Sequence, residues 1–212
     1  MSDIMDITGF ILSGSLITIQ LFFITAIFSI PLGCLVALGK ISKIKPIKAV
    51  LSLYTWAFRG TPLLLQLFFT YFGLPVIGIR LSPLAAASIA FTINYAAYLA
   101  EIFRSGIESI DKGQFEASKV LGMNYCQTMI KIIIPQAIRN VIPPVCNESI
   151  NLIKDSALVA TIGVGNVLRA AKEVVTRDFT ITPFIIAAIL YLILTSVLVM
   201  AFRKLEKKYS IN

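Results

Sequence analysis

Isolated polar side chains stand out in a chain that is 57% hydrophobic and 14% charged. Asn94, Tyr98 and Glu101 recur at i, i+4 and i+7, a spacing that puts them on one helical face. Asn147 and Asn151 share another face, with Glu148 adjacent. A carboxylate suits an ammonium or a cationic side chain, and amides suit a carboxylate and other polar atoms. The set therefore reads as a binding surface for a polar or cationic zwitterion rather than an anionic one. The same side chains also serve to hydrogen-bond helices together, and for each asparagine both roles stay open. At Glu148 an unpaired carboxylate in an apolar setting would be costly or forced neutral, which weighs toward function. Covalent chemistry finds little support. The sequence has no histidine, which removes His-based zinc sites, Ser-His-Asp hydrolysis and His proton relays together. Cys34, Cys126 and Cys146 are scattered and outline neither a disulfide framework nor a metal cluster. Only serine-lysine chemistry stays open on residue types alone.

The elements that must carry these residues are membrane helices. Apolar runs near 14–39, 50–74, 83–103, 132–157 and 181–202 predict an all-α integral membrane protein of five transmembrane helices, forming a single domain over 1–212. The fourth run is interrupted by Arg139, Asn140, Pro143, Pro144, Asn147, Glu148 and Asn151, so this proline-broken helix must be surrounded by protein or face a wet cavity. In the second run, Gly60 and Pro62 loosen the helix and free carbonyls for a pathway, while Arg59 is costly in lipid unless paired. The competing reading of that stretch is a plain kink with Arg59 snorkelling to headgroups. Ser82 and Pro83 predict the start of the third span, a capping hydroxyl followed by a residue that misses no donor at the first helical position. Residues 160–178 read as an external re-entrant or amphipathic segment. The acidic N-terminus, Met1-Ser2-Asp3-Ile4-Met5-Asp6, lacks the basic region and cleavage site of a secretory signal, so the first run is expected to remain as a helix.

Charge gives the orientation. The net charge of +8 comes from short basic clusters beside apolar runs, the pattern of a membrane edge rather than of a nucleic-acid surface. Lys40, Lys43, Lys45, Lys48, Arg104, Lys112, Lys119, Lys131, Arg139, Arg203, Lys204, Lys207 and Lys208 fall on one side, against Arg80, Lys154, Arg169, Lys172 and Arg177 on the other. The positive-inside rule then places the N-terminus outside, and the 107–131 loop and C-terminus in the cytoplasm. Within that loop, Asp111 with Gln114 and Asn124 with Gln127 match the capping-box spacing. They predict two short helices, one over 112–121 closed by Gly122 and one from Tyr125 until Pro135 bends it into the fourth span.

Glu116-Ala117-Ser118, then Gly122, then Ile132 and Ile134-Pro135, resembles the loop by which permease subunits of ABC importers grip their ATPase. That pattern is Glu-Ala-Ala, three residues, Gly, nine residues, Ile, one residue, Leu-Pro; here Ser118 replaces the second Ala and Ile134 the Leu, with every spacing kept. Arg59-Gly60-Thr61-Pro62-Leu63 with Gln66, Ser109 to Gln114, and Lys154 to Leu158 are similar to permeases for histidine, glutamine, glutamate, arginine, cystine and opines.

The resemblance implies the ABC type I importer permease architecture, with a cytoplasmic coupling helix pair that transmits ATPase closure to the membrane helices. It implies a prokaryotic cell membrane, two copies of an ATPase that bind ATP and magnesium, an external solute-binding protein, and pairing with itself or a related permease. No cofactor is expected in this chain. It carries no Gly-x-x-x-x-Gly-Lys-Ser/Thr phosphate loop, and Gly163-Val164-Gly165 lacks the third glycine of a dinucleotide site. A secondary transporter or channel is the alternative, since polar broken helices mark those too, but neither inverted repeats nor acid clusters are evident.

Overall fold

The computed structural model describes residues 4–209; Met1, Ser2, Asp3, Ser210, Ile211 and Asn212, and the side chains of Lys208 and Tyr209, lie outside the described residues. Every described element is helical, as expected where lipid forces backbone groups to pair within their own segment. In order these are α1 (Ile4–Ile41), α2 (Lys45–Gly60), α3 (Leu63–Phe68), α4 (Pro83–Glu108), α5 (Lys112–Val120), α6 (Tyr125–Thr128), α7 (Ile134–Asp155), α8 (Val167–Asp178) and α9 (Thr182–Tyr209).

α4 is the hub, packed against α1, α7 and α2. Its buried face is dominated by small residues, Ala86, Ala87, Ala90, Ala96, Ala97 and Ala100, which let neighbouring backbones approach closely. α1 answers with its own stripe of small and hydroxyl residues, including Gly14, Thr18, Thr25, Ser29 and Gly33. At Gly33 an added Cβ would come 2.9 Å from Leu99 Cβ, so only glycine permits this crossing. The outer face of α1 carries Leu16, Phe23, Ile27, Phe28 and Leu35, exposed as a lipid-facing surface requires.

α1, α4 and α9 are long and apolar enough to cross a membrane, and the α2–α3 pair makes a fourth crossing if its two halves are one span. α7 covers the fourth predicted run as a helix of 22 residues, long enough to cross but too polar to count as an apolar span. Between α2 and α3 the chain bends by 104°, a full break where the sequence predicts a loosened helix. Conversely, α7 runs unbroken through Pro143 and Pro144, which corrects the expectation of a proline-broken helix. The carbonyls that lose donors there belong to Arg139 and Asn140, both exposed residues.

The second short helix does not itself run to Pro135, because α6 ends at Thr128. A π-helical turn, Met129–Ile133, carries the chain into α7, with the Ile134 amide donating to the Met129 carbonyl just before the proline. The same device recurs at Phe69–Gly73, where the Leu74 amide donates to the Phe69 carbonyl ahead of Pro75. In each case the wider turn comes just ahead of a residue that has no donor of its own. α8 is amphipathic as read, burying Val167, Ala170, Ala171 and Val174 against α1 and α9.

Candidate functional site

The 104° break is built from the end of α2 upward. A helix end leaves its last carbonyls without partners, and here the Ala57, Phe58 and Arg59 carbonyls are each taken by a side chain. Thr61 Oγ1 donates to the Ala57 carbonyl at 2.8 Å. Gln66 Nε2 and Asn94 Nδ2 both donate to the Phe58 carbonyl, at 2.9 and 3.0 Å. Tyr98 Oη donates to the Arg59 carbonyl at 3.3 Å. Gln66 Nε2 also reaches the Thr61 carbonyl and hydroxyl, and its own Oε1 accepts from Asn94 Nδ2 at 3.0 Å. Thr61 and Pro62 are extended, as a residue ahead of proline prefers. Thus Arg59, Gly60, Thr61, Pro62 and Gln66 form one joint, and Asn94, 4% exposed, is its clasp.

Beside this joint lies an open cavity of about 610 Å³, walled by the α2–α3 junction, α4 and α7. Arg59, Asn94, Tyr95, Tyr98, Glu148, Asn151 and Asp155 supply its polar lining. The Arg59 guanidinium sits 5.3 Å from the Tyr98 ring centroid, a cation–π contact. Glu148 and Asn151, three residues apart on α7, both face the space. Tyr95 Oη donates to Asp155 Oδ2 at 2.8 Å, linking α4 to α7 across the cavity wall. One guanidinium and two carboxylates face the space, an arrangement that can hold a carboxylate at one place and ammonium groups at another.

The sequence reading and this cavity overlap in part. Asn94, Tyr98, Glu148 and Asn151 come together, while Asn147 is exposed outside the lining. Glu101 is also outside: its carboxylate is engaged by Lys40 and Arg104. Asp155 and Tyr95 were not among the expected pathway residues. Asp155 had a legible signal, because it follows Asn151 by four and Glu148 by seven and so shares their face. Tyr95 had none, since it sits in an alanine-rich run next to Asn94.

In the 107–131 loop, Gly122 adopts φ +73, and the Gly122 and Met123 amides donate to the Lys119 and Ser118 carbonyls, closing α5 with a Schellman motif. Asn124 and Gln127 form the reciprocal capping box; Asp111 instead accepts from the Gly113 amide at 2.6 Å, and its partner Gln114 makes no return bond to the cap. Glu116 and Ala117 point outward, whereas Ser118 is buried and donates to the Gln114 carbonyl. Ile132 is half-buried and Pro135 exposed. Val120, Leu121 and Tyr125 form an exposed apolar tip on this small helical hook.

Comparison with known proteins agrees with this architecture. The profile of the binding-protein-dependent transport system inner membrane component family matches residues 29–211. The arginine transport system permease protein ArtQ of Bacillus subtilis is 41% identical over 96% of this chain and 94% of its own length. The putative glutamine transport system permease protein GlnP of Rickettsia conorii is 39% identical over the same shares. A chain from the crystal structure of an amino acid ABC transporter with histidines superposes with a TM-score of 0.91 at 37% identity, covering 98% of this chain and 99% of that one. The chain belongs to the binding-protein-dependent transport system inner membrane component family: it is a membrane-embedded permease subunit of an ABC importer and not an enzyme, with ATP hydrolysis left to a separate subunit.

Proposed function

We propose that the cavity between the α2–α3 junction, α4 and α7 is the passage for a polar or cationic L-amino acid. The observation that carries this reading is the charge arrangement, Arg59 against Glu148 and Asp155, in a polar space of about 610 Å³. Arg59 suits the α-carboxylate and the two acids suit the α-ammonium or a cationic side chain. An anionic amino acid would bring more negative charge to a site already net negative. Relatives at nearly equal identity carry arginine and glutamine in their names, which agrees with a cationic or polar cargo without choosing between them.

In this reading the bent α2–α3 pair and α7 complete five spans with α1, α4 and α9. The basic residues set the loop of α5 and α6 and the C-terminus in the cytoplasm. A second permease, identical or related, faces the open side of the cavity. Two ATPase subunits, holding ATP and magnesium, grip the α5–α6 hook through Glu116, Ala117 and the turn at Gly122, and Ile132 and Pro135 lead their movement into α7. An external binding protein delivers the amino acid. The exposed apolar tip supports the hook as a docking element, because such residues are costly in water without a partner.

The test is co-purification. The ATPase encoded with this permease should remain bound in mild detergent, and Glu116→Ala should lower its recovery about tenfold, the scale of one buried charge-assisted contact. Unchanged recovery with that variant would remove Glu116 from the coupling surface.

A further inference from the structure

Near the end of α4, a chain of charged groups lies outside the cavity. Lys40, in the last turn of α1, has a side chain only 9% exposed. A buried ammonium is costly unless fully partnered, and Lys40 reaches two other helices. Its Nζ donates to Thr55 Oγ1 of α2 at 2.6 Å and pairs with Glu101 of α4. The other oxygen of Glu101 accepts from Arg104 Nε and Nη2 at 2.9 and 2.7 Å, and Arg104 pairs in turn with Glu108. The four charges cancel, and the series runs from a buried end at Lys40 and Thr55 to the last residue of α4, beside the α5 hook.

α7 is attached to α4 by weaker means. Asn140 Nδ2 donates to Ser109 Oγ at 2.9 Å, and Gln136 approaches Gln114 at 3.4 Å. At their crossing Gly106 leaves no room for a Cβ beside Val141. Farther along, the tie is the single hydrogen bond of Tyr95 to Asp155. An ion pair therefore joins α1 to α4 and the same ammonium hydrogen-bonds α2, while among the described residues hydrogen bonds without an ion pair, and a close glycine contact, join α4 to α7.

We propose that Lys40 and Glu101 are positioning residues for transport: their pairing binds α1, α2 and α4 into one body, against which α7 moves when the α5–α6 hook is pulled. This rests on the hook being the coupling element. Two walls of the cavity, the end of α2 and the face of α4, then keep their geometry while the third is displaced. With the pair broken, the pull is absorbed at the α1–α2–α4 contacts, and hydrolysis continues with less amino acid moved per ATP.

The experiment uses the full complex with its ATPase and binding protein in proteoliposomes, reading ATP hydrolysed and amino acid taken up together. Lys40→Met with Glu101→Gln removes both charges, which avoids stranding one of them and favours normal assembly. We expect uptake per ATP to fall by about two- to thirtyfold, the range of coupling free energies for residues that touch no ligand. Lys40→Arg, which keeps the charge, should retain the wild-type ratio. A wild-type ratio in the doubly neutral variant would overturn the proposal and leave the pair a purely structural tie. If that variant fails to assemble, Glu101→Asp decides: a ratio reduced at least about twofold supports the proposal, and an unchanged ratio refutes it. Glu116→Ala run in parallel separates the two readings. Should it leave binding-protein-stimulated hydrolysis intact, the hook is not the coupling element, whatever the Lys40 and Glu101 variants show.

Discussion

Pro62 and the Pro143-Pro144 pair lie in two segments that wall the same cavity, yet one ends a helix and the other does not. At Pro62 the chain turns by 104°; at Pro143 and Pro144 it continues as α7. The prolines are alike in what they remove, so their neighbours decide the outcome. Gly60 and Thr61 leave the helical conformation readily, and Gln66, Asn94 and Tyr98 donate to the carbonyls that the break sets free. α7 has no comparable set of donors at Arg139 and Asn140, and its exposed carbonyls can be solvated without opening the helix. The break here is thus a property of the donors around it, of which Asn94 and Tyr98 also line the cavity.

That contrast can be broken most severely at Asn94. Asn94→Leu would strip a donor from both the Phe58 carbonyl, which keeps Gln66 Nε2, and Gln66 Oε1, and would bury an apolar side chain among these half-buried polar groups. The expected cost is about 2–4 kcal/mol, seen as a fall in thermal midpoint of roughly 5–10 °C for the detergent-solubilised complex. A fall under about 1 °C would mean that the junction holds without its clasp. A smaller loss is expected for Tyr98→Phe, which deletes the long hydrogen bond to the Arg59 carbonyl but keeps the ring under the guanidinium. Stability should drop by about 0.5–1 kcal/mol, with the larger consequence a raised KM for uptake as Arg59 loses its fixed backbone. The smallest effect belongs to Pro144→Ala. It returns a donor to a helix already intact, so stability should change by no more than about 1 kcal/mol and uptake should persist. A collapse of either would show that α7 depends on its prolines after all.

Local signals were the legible ones. Ser82 caps α4 by accepting from the Ala85 amide, and Gly122 closes α5 in the left-handed conformation, both readable because each device occupies a few consecutive residues. Helical spacing pointed to Asn147 and Asn151 with Glu148 adjacent, and of these Glu148 and Asn151 line the cavity while Asn147 is exposed outside it. Long-range pairing was not. Glu101 shares a face with Asn94 and Tyr98, but its fate is decided by Lys40, far away in sequence. Whether Asn94 serves cargo or helix packing was open in the sequence, and its two hydrogens are bonded at the α2–α3 junction. Asp111 shows the limit of a spacing rule: Gln114 lies at the right distance in sequence, yet its side chain is directed to Gln136 of α7. The π-helical turns had no sequence signature beyond the prolines that follow them.

The most direct measurement is competitive uptake of arginine, glutamine and glutamate into proteoliposomes holding the permease, its ATPase and its binding protein, for the wild type and for Glu148→Gln. Uptake should require ATP and favour arginine or glutamine over glutamate. Glu148→Gln should raise the KM for the preferred amino acid by about tenfold or more, the loss of one charge-assisted contact. Uptake without nucleotide, or a Glu148→Gln variant with unaltered KM and selectivity, would contradict this assignment of the pathway.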